Sequence, residues 1–138
     1  MSKNHIKFAK LEMKMVYSKA YQDLNAPTLK MLSYLLLQLR WSKIKQGGKN
    51  VYLISNKDKI KMLYSTFEAK PFNMTAKTIT RGIDSLLEHG FLEIVTQGGK
   101  VKGHQSVYGY SEMWEGWVPG ETCSKRRPYS KRGYTNLV

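Results

Sequence analysis

The sequence has almost no cysteine and no long hydrophobic run. Cys123 is the single cysteine among 138 residues, so no disulfide can form within the chain and no paired-cysteine metal site is present. The longest apolar stretch, at 35–37, is far too short to cross a bilayer. The first ten residues carry Lys3, Lys7 and Lys10 and lack the apolar segment of a signal peptide. We therefore expect a cytoplasmic protein with no membrane partner.

Acidic residues are also scarce relative to basic ones. Ten Asp and Glu stand against 23 Lys and Arg, which gives a net charge of +13 and a pI near 9.8. An excess of this size on a small domain favours a polyanionic partner, and the alternative is a generally soluble basic protein. A protein of the membrane surface would concentrate its charge on one amphipathic helix, whereas these charges are spread along the whole chain. The hydrophobic fraction of 41% is enough for one folded core.

Apolar residues with a regular spacing occur in one central block of the chain. We expect a flexible lead-in at 1–8, one folded domain at 9–118 and a basic tail at 119–138 that is disordered when free. The tail carries five cations, which are Lys125, Arg126, Arg127, Lys131 and Arg132. These cations could hold DNA phosphates nonspecifically or follow a minor groove, or they could only keep the protein soluble.

The first part of the domain has helical spacing. Two short helical turns are predicted between residues 11 and 24, with Ser18 as the cap between them. Asn25 is a good N-cap, and Pro27 is tolerated in a first helical turn. The pattern predicts a central core helix from Asn25 to about Ser42.

Three different patterns follow this helix. Residues 43–50 are expected to form a mobile basic loop, and residues 51–54 are rich in strand-forming side chains. Ser55 opens a capping-box pattern, which predicts a helix at 56–64. Residues 65–74 are then expected to be a connector.

The most informative segment runs from Thr75 to Tyr110. Thr75 caps a helix predicted at 75–89, and Gly90 ends it. Its apolar positions form one buried stripe at Ile79, Ile83, Leu86 and Leu87. Strands at 91–95 and 106–110 then enclose a glycine-rich basic turn. A helix with an exposed basic and hydroxyl face fits a major groove, and a basic turn beside it can lie along neighbouring phosphates.

Candidate DNA contacts fall in three groups. The outer face of the predicted helix supplies Thr75, Lys77, Thr78, Thr80 and Arg81. Asp84 on the same face is expected either to face the groove as well or to pair with Arg81 or Lys77. The basic turn supplies Lys100, Lys102, His104 and Gln105. Contacts to the DNA backbone are also considered for Ser55, Lys57, Lys59 and Lys61. Ser55 and Thr75 are equally well explained as structural helix caps.

Several stretches of the chain resemble a known family. They are Phe-Ala-Lys-Leu at 8–11, the run from Tyr21 to Leu32, Ile-Ser-Asn-Lys at 54–57, and the run Thr-Ile-Thr-Arg-Gly-Ile-Asp-Ser-Leu-Leu-Glu-His-Gly-Phe-Leu-Glu-Ile from Thr78 to Ile94. Over roughly residues 8–117 the sequence is similar to winged helix-turn-helix DNA-binding proteins of phages, plasmids and other mobile elements, including the N-terminal domains of plasmid replication initiators.

This resemblance implies an α+β fold, mostly helical with a small two- or three-stranded antiparallel sheet. Helix 75–89 would read the major groove, and the wing at 96–106 would hold the DNA backbone. Residues 51–54 would supply the third strand by pairing with the wing hairpin. The connector at 65–74 is longer than the usual tight turn, so either the angle between the two helices differs or the loop at 67–72 makes contacts of its own.

The sequence therefore predicts a sequence-specific binder of double-stranded DNA, either a transcriptional regulator or a replication-initiation factor of a mobile element. A homodimer formed through the N-terminal helices is one option. No nucleophile–base set, phosphate loop or carboxylate pair suggests an enzyme, and no cofactor or small-molecule substrate is indicated. His5, His89 and His104 have no ligand-spaced partners, so no metal site is expected.

Two rival functions stay open. A protein-interaction scaffold would expose an apolar patch near Trp114 and Trp117. An RNA or single-strand binder would expose aromatic rings in a basic groove, whereas Tyr108, Tyr110 and the two tryptophans are expected to pack the hairpin onto the core.

Overall fold

The computed structural model of the protein describes residues 8–96 and 106–126. In these ranges the chain is α+β, with five α-helices, two separate antiparallel hairpins and one 3₁₀ helix. The helices are α1 (Met13–Val16), α2 (Lys19–Gln22), α3 (Ala26–Gln38), α4 (Tyr64–Glu68) and α5 (Ala76–Glu88). The strands are β1 (Trp41–Gln46), β2 (Lys49–Ile54), β3 (Leu92–Thr96) and β4 (Val107–Tyr110), and the 3₁₀ helix is Met113–Gly116.

The N-terminal helices follow the predicted pattern. The Ser18 hydroxyl accepts a hydrogen bond from Tyr21 N at 3.1 Å, so its role as the cap between two short turns is confirmed. Asn25 Oδ1 likewise accepts from Thr28 N at 3.0 Å and begins α3. α3 is the predicted core helix, and its buried side chains include Met31, Leu32, Leu35 and Leu36. It ends at Gln38, earlier than the predicted Ser42.

The side chain of Asn56 explains this early end. Its amide donates to Gln38 O at 2.7 Å, and its Oδ1 accepts from Arg40 N at 2.8 Å. These bonds hold the last helical carbonyl and the following N–H in place of a further helical turn. The contact joins residues 16 to 18 positions apart, so local sequence gave no sign of it.

The predicted mobile loop at 43–50 is wrong, because these residues belong to the β1–β2 hairpin. Gly47 and Gly48 both have positive φ, at 59° and 81°, as a two-residue hairpin turn requires. Residues 51–54 form a strand as predicted, but their partner is β1, with Trp41 opposite Ile54. Two glycines between strand-like runs were the signal for this hairpin. The many lysines around them concealed it.

The predicted helix at 56–64 is also wrong. Ile60 instead exchanges both backbone hydrogen bonds with Tyr108, each at 2.9 Å. Ile60 and Met62 are buried while Lys61 between them is exposed, which is the period of an extended strand and not of a helix. The third strand position beside β4 is therefore occupied at Ile60 and not at 51–54. Ser55 caps no helix, since its N–H and hydroxyl both donate to Arg40 O.

α5 packs its predicted stripe into the core. Ile79, Ile83, Leu86 and Leu87 are each at most 1% exposed, so this prediction is confirmed. Gly82 on the same face permits a close approach to α3, because a Cβ there would overlap the thioether of Met31. The helix is thus fixed against α3, and α4 and β3 also pack on it.

The predicted hairpin after α5 is confirmed as β3 paired with β4. Leu92 lies opposite Tyr110, and the register shifts between Ile94 and Thr96. Trp114 in the 3₁₀ helix stacks on Phe91 with the ring centroids 5.9 Å apart. Trp114 and Trp117 are 1% and 5% exposed, so their predicted packing on the core is confirmed.

The packed part of the chain extends beyond the expected domain end at 118. Cys123 N donates to Glu88 O at 2.9 Å and Ser124 N donates to Leu87 O at 3.1 Å. The segment up to Arg126 therefore lies along the C-terminal half of α5. The lead-in at 1–7 and the tail beyond 126 fall outside the described residues. No helix in the described ranges has the length and apolar character needed to cross a membrane.

Candidate nucleic-acid interface

The outer face of α5 presents two cations one helical turn apart. Lys77 and Arg81 are exposed, while the opposite face of the helix is buried. Within residues 8–96 and 106–126 neither side chain has a hydrogen-bond or ion-pair partner. Their charges are therefore available to a ligand. A rigid helix holds them because Ile79 and Ile83 anchor the same turns in the core.

The N-terminus of α5 is capped by its own threonines. Thr75 Oγ1 accepts from Thr78 N at 3.2 Å and donates to Thr78 Oγ1 at 3.0 Å. This geometry confirms the prediction that Thr75 is a structural helix cap. Thr75 is exposed, and the first N–H groups of α5 lie beside it, where helix termini favour anions.

Lys30 lies near this helix terminus and is not among the contacts predicted from the sequence. It lines, with Thr75 and Thr78, a cleft of about 250 Å³ that also includes Pro27 and Phe72. Lys30 belongs to α3, and only the packing of α3 on α5 brings it to the N-terminus of α5. A sequence pattern could show that Lys30 lies on the polar face of its helix, but not which helix terminus it would approach.

Thr80 and Asp84 face the protein more than the solvent. The Thr80 hydroxyl shares a hydrogen bond with the hydroxyl of Tyr64, the first residue of α4. The expected pairing of Asp84 with Arg81 or Lys77 is wrong, since Asp84 Oδ1 accepts from Arg126 at 2.7 Å. Both side chains are partly buried. Of the five candidates on this helix, Thr80 is therefore the least available to DNA.

Arg126 joins the C-terminal segment to α5 through this cluster. Its guanidinium donates to Asp84 Oδ1 and to Thr80 O, the latter at 3.2 Å. Burial alone would lower the pKa of the guanidinium, but hydrogen bonds to Asp84 and Tyr64 and the charge of Asp84 outweigh it and raise the pKa. Arg126 thus remains charged and is already engaged, while its neighbour Lys125 is exposed. The other predicted tail cations, Arg127, Lys131 and Arg132, lie outside the described residues.

The connector before α5 packs inward. It begins with α4, whose Phe67 is fully buried, and then runs through a cis Lys70–Pro71 bond. Phe67 and Phe72 meet each other and Tyr34 of α3 edge to face, with ring centroids 5.2 to 6.1 Å apart. Residues 67–72 therefore contact the core, and the prediction of a connector over the whole of 65–74 is wrong, because α4 extends to Glu68.

The remaining candidates are distributed unevenly. Ser55, Lys57, Lys59 and Lys61 are exposed, but they lie on a turn and an extended segment and not on a helix that crosses the DNA backbone. Lys100, Lys102, His104 and Gln105 fall outside the described residues, in the segment that joins β3 to β4. That segment begins after β3 and ends before β4, and β3 is the first element after α5 along the chain.

His89 has a structural position at the end of α5. Its Nε2 lies 2.8 Å from Asp23 Oδ2 and its Nδ1 lies 2.7 Å from Ser85 O, while its ring packs on Trp117. Both ring nitrogens therefore face acceptors. The contact ties the loop after α2 to the C-terminus of α5, where positive charge is favoured.

Comparisons with protein-family models, with curated proteins and with solved structures found no match for the chain. Within the described ranges, no three His, Cys, Asp or Glu side chains are grouped so that they could hold a metal ion. Geometry and charge are therefore the grounds on which a function can be proposed.

Proposed function

We propose that this protein is a winged helix-turn-helix protein that binds double-stranded DNA in a sequence-specific manner, with α5 in the major groove. One observation carries the proposal. Lys77 and Arg81 stand exposed, one turn apart and without partners among the described residues, on a helix whose other face is locked into the core. Such a helix offers hydrogen-bond donors to base edges from a backbone that is already ordered before binding.

The order of elements supports this assignment. The chain runs from α3 through the extended residue Ile60 to α4 and α5, and then into the β3–β4 hairpin, with Ile60 paired to β4. A helix pair followed at once by a hairpin is the arrangement in which a recognition helix and a wing meet the same duplex. The β1–β2 hairpin is an insertion between α3 and the strand position at Ile60.

The groove contacts follow from which donors are free. Arg81 can bond the O6 and N7 atoms of guanine with its two-pronged guanidinium, and Lys77 can take a phosphate or a base edge. Thr75, Thr78 and Lys30 would hold a phosphate at the N-terminus of α5. The turn residues Lys100, Lys102, His104 and Gln105 would lie along the flanking backbone.

The biological role we propose is that of a transcriptional regulator or a replication-initiation factor of a mobile element. Both roles require recognition of a particular duplex sequence. Selection of bound fragments from random duplex DNA, at about 0.15 M salt, tests this requirement. An enriched motif would support the proposal, and a palindromic motif would indicate a dimer on DNA. A pool that stays random after repeated rounds would contradict sequence-specific binding.

Replacing Arg81 tests the role of α5 directly. Arg81→Ala should weaken binding to the selected duplex by about 1–3 kcal/mol and relax preference at one or two base pairs. Lys19→Ala, which removes an exposed cation from α2, is the control and should leave the preferred sequence unchanged. Repeating the selection with both variants measures this. If Arg81→Ala recovered the same motif with the same stringency, α5 would not be the reading element.

The scaffold alternative has less support. It requires an apolar patch near Trp114 and Trp117; both tryptophans are buried, and the exposed apolar side chains beside them are Met113 and Val118. If the folded protein lost its affinity for duplex DNA at physiological salt, the scaffold alternative would gain support.

A further inference from the structure

We propose that the β1–β2 hairpin carries a second site, which binds single-stranded DNA by stacking bases on Trp41 and Tyr52. The hairpin forms a two-stranded sheet of its own, and nearly all of its side chains are exposed. Only its base packs on the core, through Ile54, so most of its surface is open to a ligand.

The two aromatic rings share one face of the hairpin. Trp41 is 36% exposed and Tyr52 is 52% exposed. The Lys10 ammonium lies 4.4 Å from the ring centroid of Trp41 and 5.0 Å from that of Tyr52, so both rings border the same space. Exposed aromatic rings beside cations are the elements of a base-stacking platform.

The strand register places further cations on this face. Lys43 lies directly opposite Tyr52, and Lys45 lies opposite Asn50 nearer the turn. Opposite residues, and residues two apart on one strand, project from the same face of a sheet. The neighbouring residues Ile44, Val51 and Leu53 therefore project from the other face. The face that carries Trp41 and Tyr52 is aromatic and basic, whereas the other face mixes these three apolar residues with Ser42, Gln46 and Lys49.

The part of the sequence that includes the hairpin has a long stretch without acidic residues. Residues 24–57 contain no Asp or Glu and six cations, which are Lys30, Arg40, Lys43, Lys45, Lys49 and Lys57. A surface of one sign attracts a polyanion and suppresses neutral or basic partners. This charge favours a polyanion, such as a nucleic acid, over a neutral or basic protein as the ligand.

A cleft of about 410 Å³ lies at the base of the hairpin and is lined by Phe8, Arg40, Asn56 and Lys59, among others. Phe8 and Lys10 are two residues apart, so the segment that lines the cleft also reaches the Trp41–Tyr52 face. The cleft therefore extends the platform with another aromatic ring and two more cations. A strand of several nucleotides could follow this path.

Exposed rings favour single strands over duplexes. The faces of paired bases are covered by their neighbours in a duplex, whereas an unpaired base can leave its neighbours and stack on a side chain. Lysines alone would suffice for a duplex backbone. A base stacked on Trp41 and Tyr52 would displace the exposed Lys10 ammonium, which could then reach a phosphate. The choice of DNA over RNA rests on the proposed function, because a duplex bound through α5 would be the source of single strands closest to the hairpin.

Tryptophan fluorescence provides a direct readout on the full chain. Trp114 and Trp117 are buried, so Trp41 is the one exposed tryptophan of the three. Addition of an oligothymidylate of about 12 nucleotides should quench the emission, and Trp41→Phe should abolish the quenching while it retains most of the affinity. Absence of binding, or binding with unchanged wild-type emission, would overturn the inference.

Tyr52→Ala and Leu53→Ala form a matched pair. These adjacent residues are 52% and 49% exposed on opposite faces of the hairpin. Tyr52→Ala should weaken oligothymidylate binding by about tenfold or more, and Leu53→Ala should change it by less than about twofold. Equal effects of the two would contradict stacking on this face. Tighter binding of oligouridylate than of oligothymidylate would contradict the assignment to DNA.

Duplex binding separates this inference from the proposed function. Tyr52→Ala should leave the affinity for the duplex selected through α5 unchanged, and Arg81→Ala should leave oligothymidylate binding unchanged. Loss of both activities in either variant would contradict two separate sites. If the protein bound oligothymidylate but selected no preferred duplex sequence, the proposed function would be refuted and the hairpin site would remain supported.

Discussion

Polar side chains on the outer face of α5 differ in how far the protein already uses their bonding capacity. Thr80 and Asp84 are engaged by Tyr64 and Arg126, whereas Lys77 and Arg81 have no partner among the described residues. Changes at the first pair should therefore affect folding, and changes at the second pair should affect binding. This difference could not be predicted from the sequence, in which all four residues share one stripe.

Gly90 gives a prediction about folding. Its φ is 86°, and a Cβ there would lie 2.7 Å from Trp114 N and 2.8 Å from the carbonyl carbon of Met113. Gly90→Ala should lower the free energy of unfolding by at least about 2 kcal/mol, because a left-handed backbone and a backbone clash act together. Urea denaturation would measure this. Gly116→Ala, where a Cβ meets open space, is the control and should have little effect. Similar losses in the two variants would contradict the account of this turn.

Tyr110 gives a prediction about alkaline pH. Burial raises the pKa of its hydroxyl to about 12, although a hydrogen bond from Trp114 acts in the opposite direction. The unfolded chain ionises near the ordinary value of 10.0, so stability is intact below pH 10 and is lost as the pH rises toward 12. In Tyr110→Phe this part of the loss, about 2 kcal/mol, should disappear.

Urea unfolding below pH 10 and near pH 12 checks the prediction for Tyr110. Tyr17→Phe is a suitable control, since Tyr17 is 75% exposed. Parallel declines in the wild type and in Tyr110→Phe would show that this hydroxyl does not carry the effect.

At the scale of elements, sequence patterns succeeded where one stripe or one cap decides the structure. α5, its cap Thr75 and its end at Gly90 follow from spacing alone, as does the Ser18 cap. The patterns failed where a distant partner decides. Ile60 is extended because it pairs with Tyr108, and that tertiary pairing overrides a local capping pattern at Ser55.

The docked C-terminal segment is a further element that no local pattern indicated. Arg126 bonds Asp84 across 42 positions of sequence. Arg126→Ala should lower the free energy of unfolding by about 1 kcal/mol, since the pair is partly exposed and solvent screens it. Lys125→Ala, next to it and exposed, should change stability by less than about 0.5 kcal/mol. Thermal or urea unfolding of both variants tests this, and equal effects would show that the segment is not held by Arg126.

At the scale of the whole molecule, the net charge of +13 is divided between regions with different chemistry. The outer face of α5 presents free cations on a rigid helix, and the β1–β2 hairpin presents cations beside exposed rings. The sequence predicted the first region from its stripe. It could not predict the second, because the hairpin brings Lys10, Trp41 and Tyr52 together only after it folds.

The central claim is that α5 binds duplex DNA through Lys77 and Arg81. The most direct measurement compares the wild type, Lys77→Ala/Arg81→Ala, and the charge-matched control Lys19→Ala/Lys70→Ala on the selected duplex, with circular dichroism to verify folding. We predict at least about tenfold weaker binding for the α5 variant and less than about twofold for the control. A folded Lys77→Ala/Arg81→Ala variant that bound the duplex as the wild type does would contradict the claim.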